Sequence, residues 1–155
     1  MEPFRATLGT EILKQIHNEN WSELKVLTGT ADHVPDAILG LLSENKSAFE
    51  AAYWKLENYV VVQGDLFSSA AVVPKFLEDI VVKAKFKERV IDLIWQIGSG
   101  YSKDTHLQEE CFNEAMRVLK RLENNPKIYS SKYGNIVKGE IKELEELKID
   151  REKST

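Results

Sequence analysis

The 155-residue chain contains one cysteine, three histidines and four prolines. The single cysteine, Cys111, excludes an internal disulfide framework and a zinc site built from four thiolates. His17, His33 and His106 stand singly, and none belongs to the His-Glu-x-x-His pattern with which helical zinc hydrolases bind their metal. Asp104 and His106 could together ligate a metal, but a capped helix start is the favoured interpretation. The sequence therefore predicts neither a metal nor another cofactor.

Motifs of nucleophilic and acid/base catalysis are also missing. The segment 98–100 reads Gly-Ser-Gly, without the Gly-x-Ser-x-Gly elbow or the glycine-rich loops that bind phosphates. Cys111 lies on an apolar stripe, which indicates a small core residue and not a thiolate nucleophile. The acidic pairs at 78–79 and 109–110 are adjacent in sequence, and adjacent helical positions do not share a face. We therefore predict a protein that is not an enzyme and has no catalytic residues.

Long apolar runs do not occur in the sequence. The longest, such as residues 59–62 and 70–73, fall far short of the roughly 18 residues that a membrane span needs. The first nine residues lack the basic flank and apolar centre of a secretory signal. A lone thiol fits a reducing compartment. We therefore expect a cytoplasmic protein that does not bind membranes.

The chain has no surplus of positive charge. It has 21 Lys and Arg residues and 25 Asp and Glu residues, which gives a net charge of −4. This charge argues against direct binding of nucleic acid by phosphate neutralisation. The acidic surplus lies in residues 1–65, which carry five basic and ten acidic side chains, whereas residues 66–155 carry sixteen and fifteen. This surplus is either an ordinary solvated surface or a face that attracts a basic partner.

Apolar residues recur at helical spacing along most of the chain. In residues 47–63 they fall at positions 49, 52, 53, 56, 59 and 60, with Trp54 and Val61 widening the stripe and Gly64 ending the helix. Other helices are predicted at about 11–18, 35–43, 67–84, 86–97, 106–123, after Pro126 and at 135–149. The run of β-branched residues Val60–Val62 favours a strand and is the main exception to the helical pattern, but the apolar spacing around it favours a helix. The sequence predicts one all-α domain of about eight helices over residues 1–155.

Two segments of the chain repeat at a similar spacing. Val34-Pro35 returns as Val73-Pro74 after 39 residues, and Trp54 and Trp95 are 41 residues apart in comparable predicted helices. A period near 40 is the length of a HEAT or armadillo unit, in which two helices form a hairpin that packs on its neighbours. The echo leaves two architectures open, a helical-hairpin solenoid and a plain helical bundle.

The most distinctive part of the sequence covers residues 51–77. It contains a Trp-x-Leu pair, a Gln-Gly pair, an aromatic residue three positions later, an alanine and a Val-Pro-x-x-Leu segment, formed by Trp54, Leu56, Gln63, Gly64, Phe67, Ala70, Val73, Pro74 and Leu77. This pattern resembles a family of small bacterial HEAT-like repeat proteins. Members of that type occur as immunity proteins beside polymorphic toxins, including contact-dependent growth inhibition systems. Residues 90–97 look like the next repeat, so the resemblance covers about residues 35–100.

The resemblance implies a HEAT-like helical-hairpin solenoid that binds and neutralises a cognate toxin domain. The implied partner is a basic nuclease, the C-terminal domain of a large secreted effector, whose active site or substrate surface would be masked. The family pattern is structural, so Trp54, Gln63 and Gly64 are expected to shape a hairpin. We predict that acidic and loop residues outside this pattern bind the partner: Asp65, Glu78, Asp79, Tyr101, Asp104, Glu109, Glu110 and Glu114.

Three other functions share the predicted scaffold. A HEAT-repeat adaptor would bind proteins without a toxin partner, and a HEAT-like lyase or maturation factor would act on a chromophore. A HEAT-like DNA glycosylase would need a basic concave surface and an aromatic pocket for a damaged base, which the acidic composition disfavours.

Overall fold

A computed structural model describes residues 9–154 of the chain. Within these residues lie eight α-helices and one two-stranded hairpin, and helix is by far the dominant structure. The prediction of an all-α chain with about eight helices is confirmed. The predicted single domain over 1–155 also includes Met1–Leu8 and Thr155, which lie outside the described residues, and its extent stays a prediction.

The helices are joined by short connections. They are α1 (Thr10–Asn18), α2 (Val34–Gly40), α3 (Lys46–Glu57), α4 (Pro74–Lys83), α5 (Lys87–Ser99), α6 (Thr105–Glu123), α7 (Pro126–Tyr129) and α8 (Tyr133–Lys153). The strands are β1 (Val61–Val62) and β2 (Asp65–Leu66), which pair antiparallel. Short 3-10 turns occupy Trp21–Glu23, Ala31–His33 and Ser68–Ala71.

Helices that are neighbours in the chain pack as pairs. Helix α2 contacts α3, α4 contacts α5, and α6 contacts α8, with the short α7 between the last two. Successive pairs also touch, because α4 lies against α2 and α6 while α5 lies against α6 and α8. Apolar residues from all of these helices join one continuous core, whose largest fully buried side chains include Phe49, Tyr53 and Phe76. The apolar stripes of the sequence therefore face a shared interior.

Helix starts coincide with capping residues in the sequence. The side chain of Asp104 accepts hydrogen bonds from the backbone N–H groups of His106 and Leu107, at 3.0 and 3.2 Å. Asn125 caps α7 in the same way, and Pro126 occupies its first position. Both predicted starts are confirmed, and the Asp104 carboxylate is engaged in capping.

The helix predicted over residues 47–63 is shorter than expected. Helix α3 ends at Glu57, and the chain then forms the β1–β2 hairpin. Gln63 and Gly64, at its turn, have φ angles of 50° and 87°, the pair of positive values that a type I′ turn requires. The helical assignment of Val60–Val62 was wrong because β-branched side chains beside a turn-forming Gly favour a hairpin. Gly64 turns the chain, as predicted, but between two strands.

The helix predicted from residue 67 begins later. Residues Ser68–Ala71 form a 3-10 turn, and α4 starts at Pro74. Proline has no backbone N–H to donate, so it is tolerated in the first turn of a helix and not deeper within it. Pro35 also lies in the first turn of its helix, α2, so the two Val-Pro segments occupy corresponding places.

Candidate functional site

The eight residues predicted to bind a partner lie in several separate places. Asp65 and Tyr101 are neighbours, because β2 pairs with the segment after α5 through an isolated parallel bridge. The Leu66 N–H donates to the Tyr101 carbonyl at 2.9 Å, and the Tyr101 N–H donates to the Gly64 carbonyl at 2.6 Å. The Tyr101 side chain is 55% exposed. Asp104 follows closely in the chain as the cap of α6, so these three residues share one end of the molecule.

Three of the predicted acids lie beside basic residues at the groove between α4 and α6. Glu78 forms an ion pair with Arg121 at 2.5 Å, and Glu114 forms one with Arg117 at 3.1 Å. Asp79 lines the same groove as Glu78, together with Arg117, Lys120 and Arg121. The negative charge of these acids is therefore compensated locally.

The remaining two acids are separated from that groove. Glu110 approaches His106 one turn earlier in α6, with 3.5 Å between Oε2 and Nε2. Glu109 lines a groove between α6 and α8, together with Lys148 and Arg151. The structure therefore does not gather the predicted residues into one patch, and their role in binding stays a prediction.

A different acidic surface crosses α3, α5 and α8. We call it the acidic face and define it by eight exposed or half-buried side chains: Glu50, Glu57, Glu88, Asp92, Glu140, Glu143, Glu146 and Asp150. Two basic side chains beside this face have partners, since Arg89 pairs with Glu50 and Arg151 donates to the carbonyls of Ser99 and Gly100, both at 3.0 Å. Within residues 9–154, no ion pair involves the acids that α8 contributes to this face.

Gln96 connects α3 and α5 at the centre of this face. Its Nε2 lies 2.8 Å from Asp92 Oδ2, 3.0 Å from Glu57 Oε2 and 3.2 Å from the Tyr53 hydroxyl. The two carboxylates are its closest acceptors, and because an amide nitrogen has two N–H groups, it can donate to both of them. Burial, together with Asp92 and Glu57, raises the pKa of Tyr53, so its hydroxyl stays protonated and donates to Asp92 at 3.4 Å. The two carboxylates are thus held by neutral donors.

Arg89 completes the junction between α3 and α5. Its guanidinium lies 4.2 Å from the centre of the Tyr53 ring and 2.5 Å from the Glu50 carboxylate. An arginine that stacks on an aromatic ring while pairing with a carboxylate uses both the planarity and the charge of its guanidinium. This junction therefore binds one arginine of the chain's own.

The junction between α5 and α8 uses its arginine differently: Arg151 donates to the backbone carbonyls of Ser99 and Gly100, and it forms no ion pair with a carboxylate of the acidic face within residues 9–154. Burial, together with the carboxylates of Asp92, Glu143 and Glu88, raises the pKa of Glu140 to about 8. Among the described residues, three buried side-chain polar atoms have no hydrogen-bond partner, and two of them are Glu140 Oε2 and Trp95 Nε1. Both atoms belong to residues at this junction, which therefore has unused hydrogen-bonding capacity.

A groove of about 400 Å³ runs along the same junction. Trp95, Ser99 and Leu147 line it with three carboxylates, those of Glu143, Glu146 and Asp150. An aromatic ring, an apolar side chain and several carboxylates together are suited to a cationic group on an apolar stem.

An exposed aromatic cluster borders the acidic face at the end of α3. Trp54 is 55% exposed and meets the Tyr59 ring edge-on at 5.6 Å, and Tyr59 meets His33 at 5.0 Å. Leu27, also exposed, donates its backbone N–H to the Tyr59 carbonyl at 2.8 Å. The prediction that Trp54 widens the buried stripe was wrong, because its side chain lies at the surface against Tyr59 and not in the core.

Cys111 is fully buried in α6, which confirms its predicted place in the core. Burial raises the pKa of its thiol to about 12, with further contributions from Glu110 and Glu114. In the part of the chain that the structure describes, no three His, Cys, Asp or Glu side chains are placed to hold a metal ion. No helix of residues 9–154 is both long and apolar enough to cross a membrane.

No family model, curated protein or solved structure matches this chain. The resemblance to HEAT-like immunity proteins therefore stays a prediction. Sequence reasoning missed the acidic face because it considered charge by segment. The signal was present in the 39-residue echo, since Glu50 and Arg89, Tyr53 and Asp92, and Glu57 and Gln96 are each 39 positions apart.

Proposed function

We propose that this chain is a protein-binding HEAT-like solenoid that acts as an immunity protein. In this proposal it binds a cognate bacterial toxin domain of basic charge, a nuclease in the first instance, and masks the active site or substrate surface of that toxin. The observation that carries the proposal is the set of contacts between α3 and α5 at a constant spacing of 39 residues.

The constant spacing supports the repeat architecture. If α2–α3 and α4–α5 are successive hairpin units, residues at equivalent positions of α3 and α5 face each other, as these pairs do. Pro35 and Pro74 open the first helices of the two units. Helices α6 and α8 would form a third unit, with α7 in its connection. Stacked units of this kind contact only their neighbours and present extended surfaces.

The charge of that surface favours a basic partner. The acidic face spans three helices, which gives a binding surface with little to order on association. Nucleases must meet phosphates and tend to be basic, so an acidic inhibitor gains association rate by complementary charge. The same charge opposes a DNA glycosylase, because a surface of carboxylates repels the phosphate backbone. An adaptor for a basic protein other than a toxin would use the same face and differ in its partner.

Co-expression with a toxin tests the proposal directly. Where the neighbouring gene encodes a large secreted protein, the probe is the variable C-terminal domain of that protein, produced in a bacterial host with and without this chain. We expect growth to be rescued and the two proteins to elute together, whereas a toxin domain from an unrelated system should remain toxic. Loss of growth despite abundant soluble chain, with no co-elution, would overturn the immunity function.

A further inference from the structure

We infer that the acidic face is the docking surface for a basic segment of a partner protein, and that the groove between α5 and α8 receives an arginine side chain of that segment beside Trp95. The inference rests on the proposed function for the kind of partner. It goes further by choosing the face, the groove and the side chain that enters it.

The α5–α8 groove and the α4–α6 groove differ in charge. Glu143, Glu146 and Asp150 line the α5–α8 groove without a basic residue among them. The α4–α6 groove has two acids against three basic residues, and Glu78 there is already paired with Arg121. A cationic segment is therefore attracted to the first groove and finds no net negative charge in the second.

The molecule itself shows how an arginine binds at such a junction. Between α3 and α5, Arg89 stacks on Tyr53 and pairs with Glu50. Between α5 and α8, the groove offers the aromatic ring of Trp95 and carboxylates from α8, and among the described residues no arginine pairs with those carboxylates, since Arg151 donates to the carbonyls of Ser99 and Gly100. A partner arginine would supply the missing group.

Arginine fits this groove better than a small cation. The groove has a volume of about 400 Å³, many times the roughly 30 Å³ that one water molecule occupies in the liquid. The methylene stem of arginine can lie on Leu147 while the planar guanidinium stacks on Trp95 and pairs with two carboxylates. Bidentate pairing with carboxylates is a property that distinguishes arginine from lysine.

The carboxylates beside the groove, Glu140, Asp92 and Glu143, lie close enough to repel one another when charged, and a bound cation would reduce that repulsion. Glu140 has a buried oxygen without a partner in the described residues, close to the charges of Asp92 and Glu143. A guanidinium bound nearby favours the charged form of Glu140, so association would release a proton. This linkage supports the choice of the α5–α8 junction over the rest of the face.

Indole resonances provide a site-resolved test with the intact, uniformly 15N-labelled protein. The chain has three tryptophans, and the Trp21 indole N–H is buried and donates to the Ile16 carbonyl at 2.7 Å, away from this face. We expect a hexa-arginine peptide to shift the Trp95 indole signal in a saturable, salt-sensitive manner while the Trp21 signal stays in place. A hexa-glutamate peptide should shift neither.

A matched pair of double variants separates this groove from general attraction. Glu143→Gln with Glu146→Gln removes two charges from the groove at exposed positions of α8, and should weaken hexa-arginine binding about fivefold or more. Glu78→Gln with Asp79→Asn removes two charges from the α4–α6 groove and should leave the affinity for hexa-arginine within twofold of the wild-type value. Equal weakening by both pairs, or equal shifts of the Trp21 and Trp95 signals, would overturn the inference, as would no binding.

The outcomes also separate this inference from the proposed function. Peptide binding in the groove without neutralisation of any toxin would support the docking surface and reject the immunity function. Neutralisation that persists unchanged in the Glu143→Gln, Glu146→Gln variant would support immunity and reject this face. Thermal unfolding of both variants checks that each is folded.

Discussion

Glu57 and Gln96 are 39 residues apart in the chain and are joined by a hydrogen bond of 3.0 Å between Oε2 and Nε2. The same amide nitrogen lies 2.8 Å from the carboxylate of Asp92. One neutral side chain therefore bridges two acids from adjacent helices. It keeps them close together without neutralising either, so the negative charge remains available at the surface.

Replacing that bridge should cost stability. Gln96→Leu keeps a side chain of similar size but removes the donor that Glu57 and Asp92 share, and leaves Asp92 only the 3.4 Å hydrogen bond from the Tyr53 hydroxyl. We expect the free energy of unfolding to fall by about 1–2 kcal/mol, measured by urea denaturation. Gln15→Leu, on the exposed side of α1, makes the same change and should stay within about 0.5 kcal/mol of the wild type. Equal losses in the two variants would show that the bridge contributes nothing.

The helical pattern and the caps could be predicted from the sequence because both depend on neighbouring residues. The apolar period identified the cores of α3, α5 and α6, and Asp104 and Asn125 marked two helix starts. The hairpin after α3 could not be predicted in this way. Apolar residues at positions 59 and 60 happen to continue the helical spacing, and the positive φ angles of Gln63 and Gly64 are set by the turn.

The candidate site was harder to predict because it depends on which helices become neighbours. Segment by segment, the acidic surplus lies before residue 66, yet four of the eight acids on the acidic face come from α8. The 39-residue echo predicts the Glu50–Arg89 contact once it is applied to charged residues as well as to Val-Pro pairs. Trp54 and Trp95, 41 residues apart, are two positions out of that register, and so one is exposed while the other is half-buried.

Gly100 should tolerate no side chain, because the hairpin docks against it. A Cβ at this position would lie 2.5 Å from Leu66 Cδ2 and 3.1 Å from the Gly64 carbonyl oxygen. We expect Gly100→Ala to destabilise the fold by about 1–3 kcal/mol and to increase hydrogen exchange at the Leu66 and Tyr101 amides. Gly139→Ala is the matched control, since open space surrounds that glycine in α8, and it should raise stability by about 0.5–1 kcal/mol.

The thiol of Cys111 should be inert while the protein is folded. With a pKa near 12 it carries about a thousandfold less thiolate than a free cysteine at the same pH, and its side chain is fully buried. We expect an aromatic disulfide reagent at pH 8 to label it only as fast as the protein unfolds. A thiol placed at an exposed position of the same helix, by Thr105→Cys in a Cys111→Ala background, should react within seconds. Rapid labelling of Cys111 in native buffer would contradict its assignment to the core.

Glu140 should make the protein less stable as the pH rises. Its folded-state pKa of about 8 lies above the ordinary value of 4.5, so between these values the folded protein holds a proton that the unfolded chain has released. Stability contributed by this proton is complete below pH 4.5 and lost by about pH 8, at no more than about 1.4 kcal/mol per pH unit. Glu140→Gln cannot lose the proton, so its unfolding temperature should exceed that of the wild type increasingly from pH 5 to pH 8 and by a constant margin above that.

The control for this comparison is Glu145→Gln, which removes one carboxylate at an exposed position of the same helix. Its unfolding temperature should follow the wild-type pH dependence, because the group that holds the extra proton is unchanged. The carboxylates of Asp92 and Glu88 on α5 and Glu143 on α8 raise the Glu140 pKa, after burial itself. If Glu140→Gln shows the same pH dependence as Glu145→Gln, Glu140 is ionised in the folded protein at neutral pH. The acidic face then carries one more negative charge than the burial of Glu140 predicts.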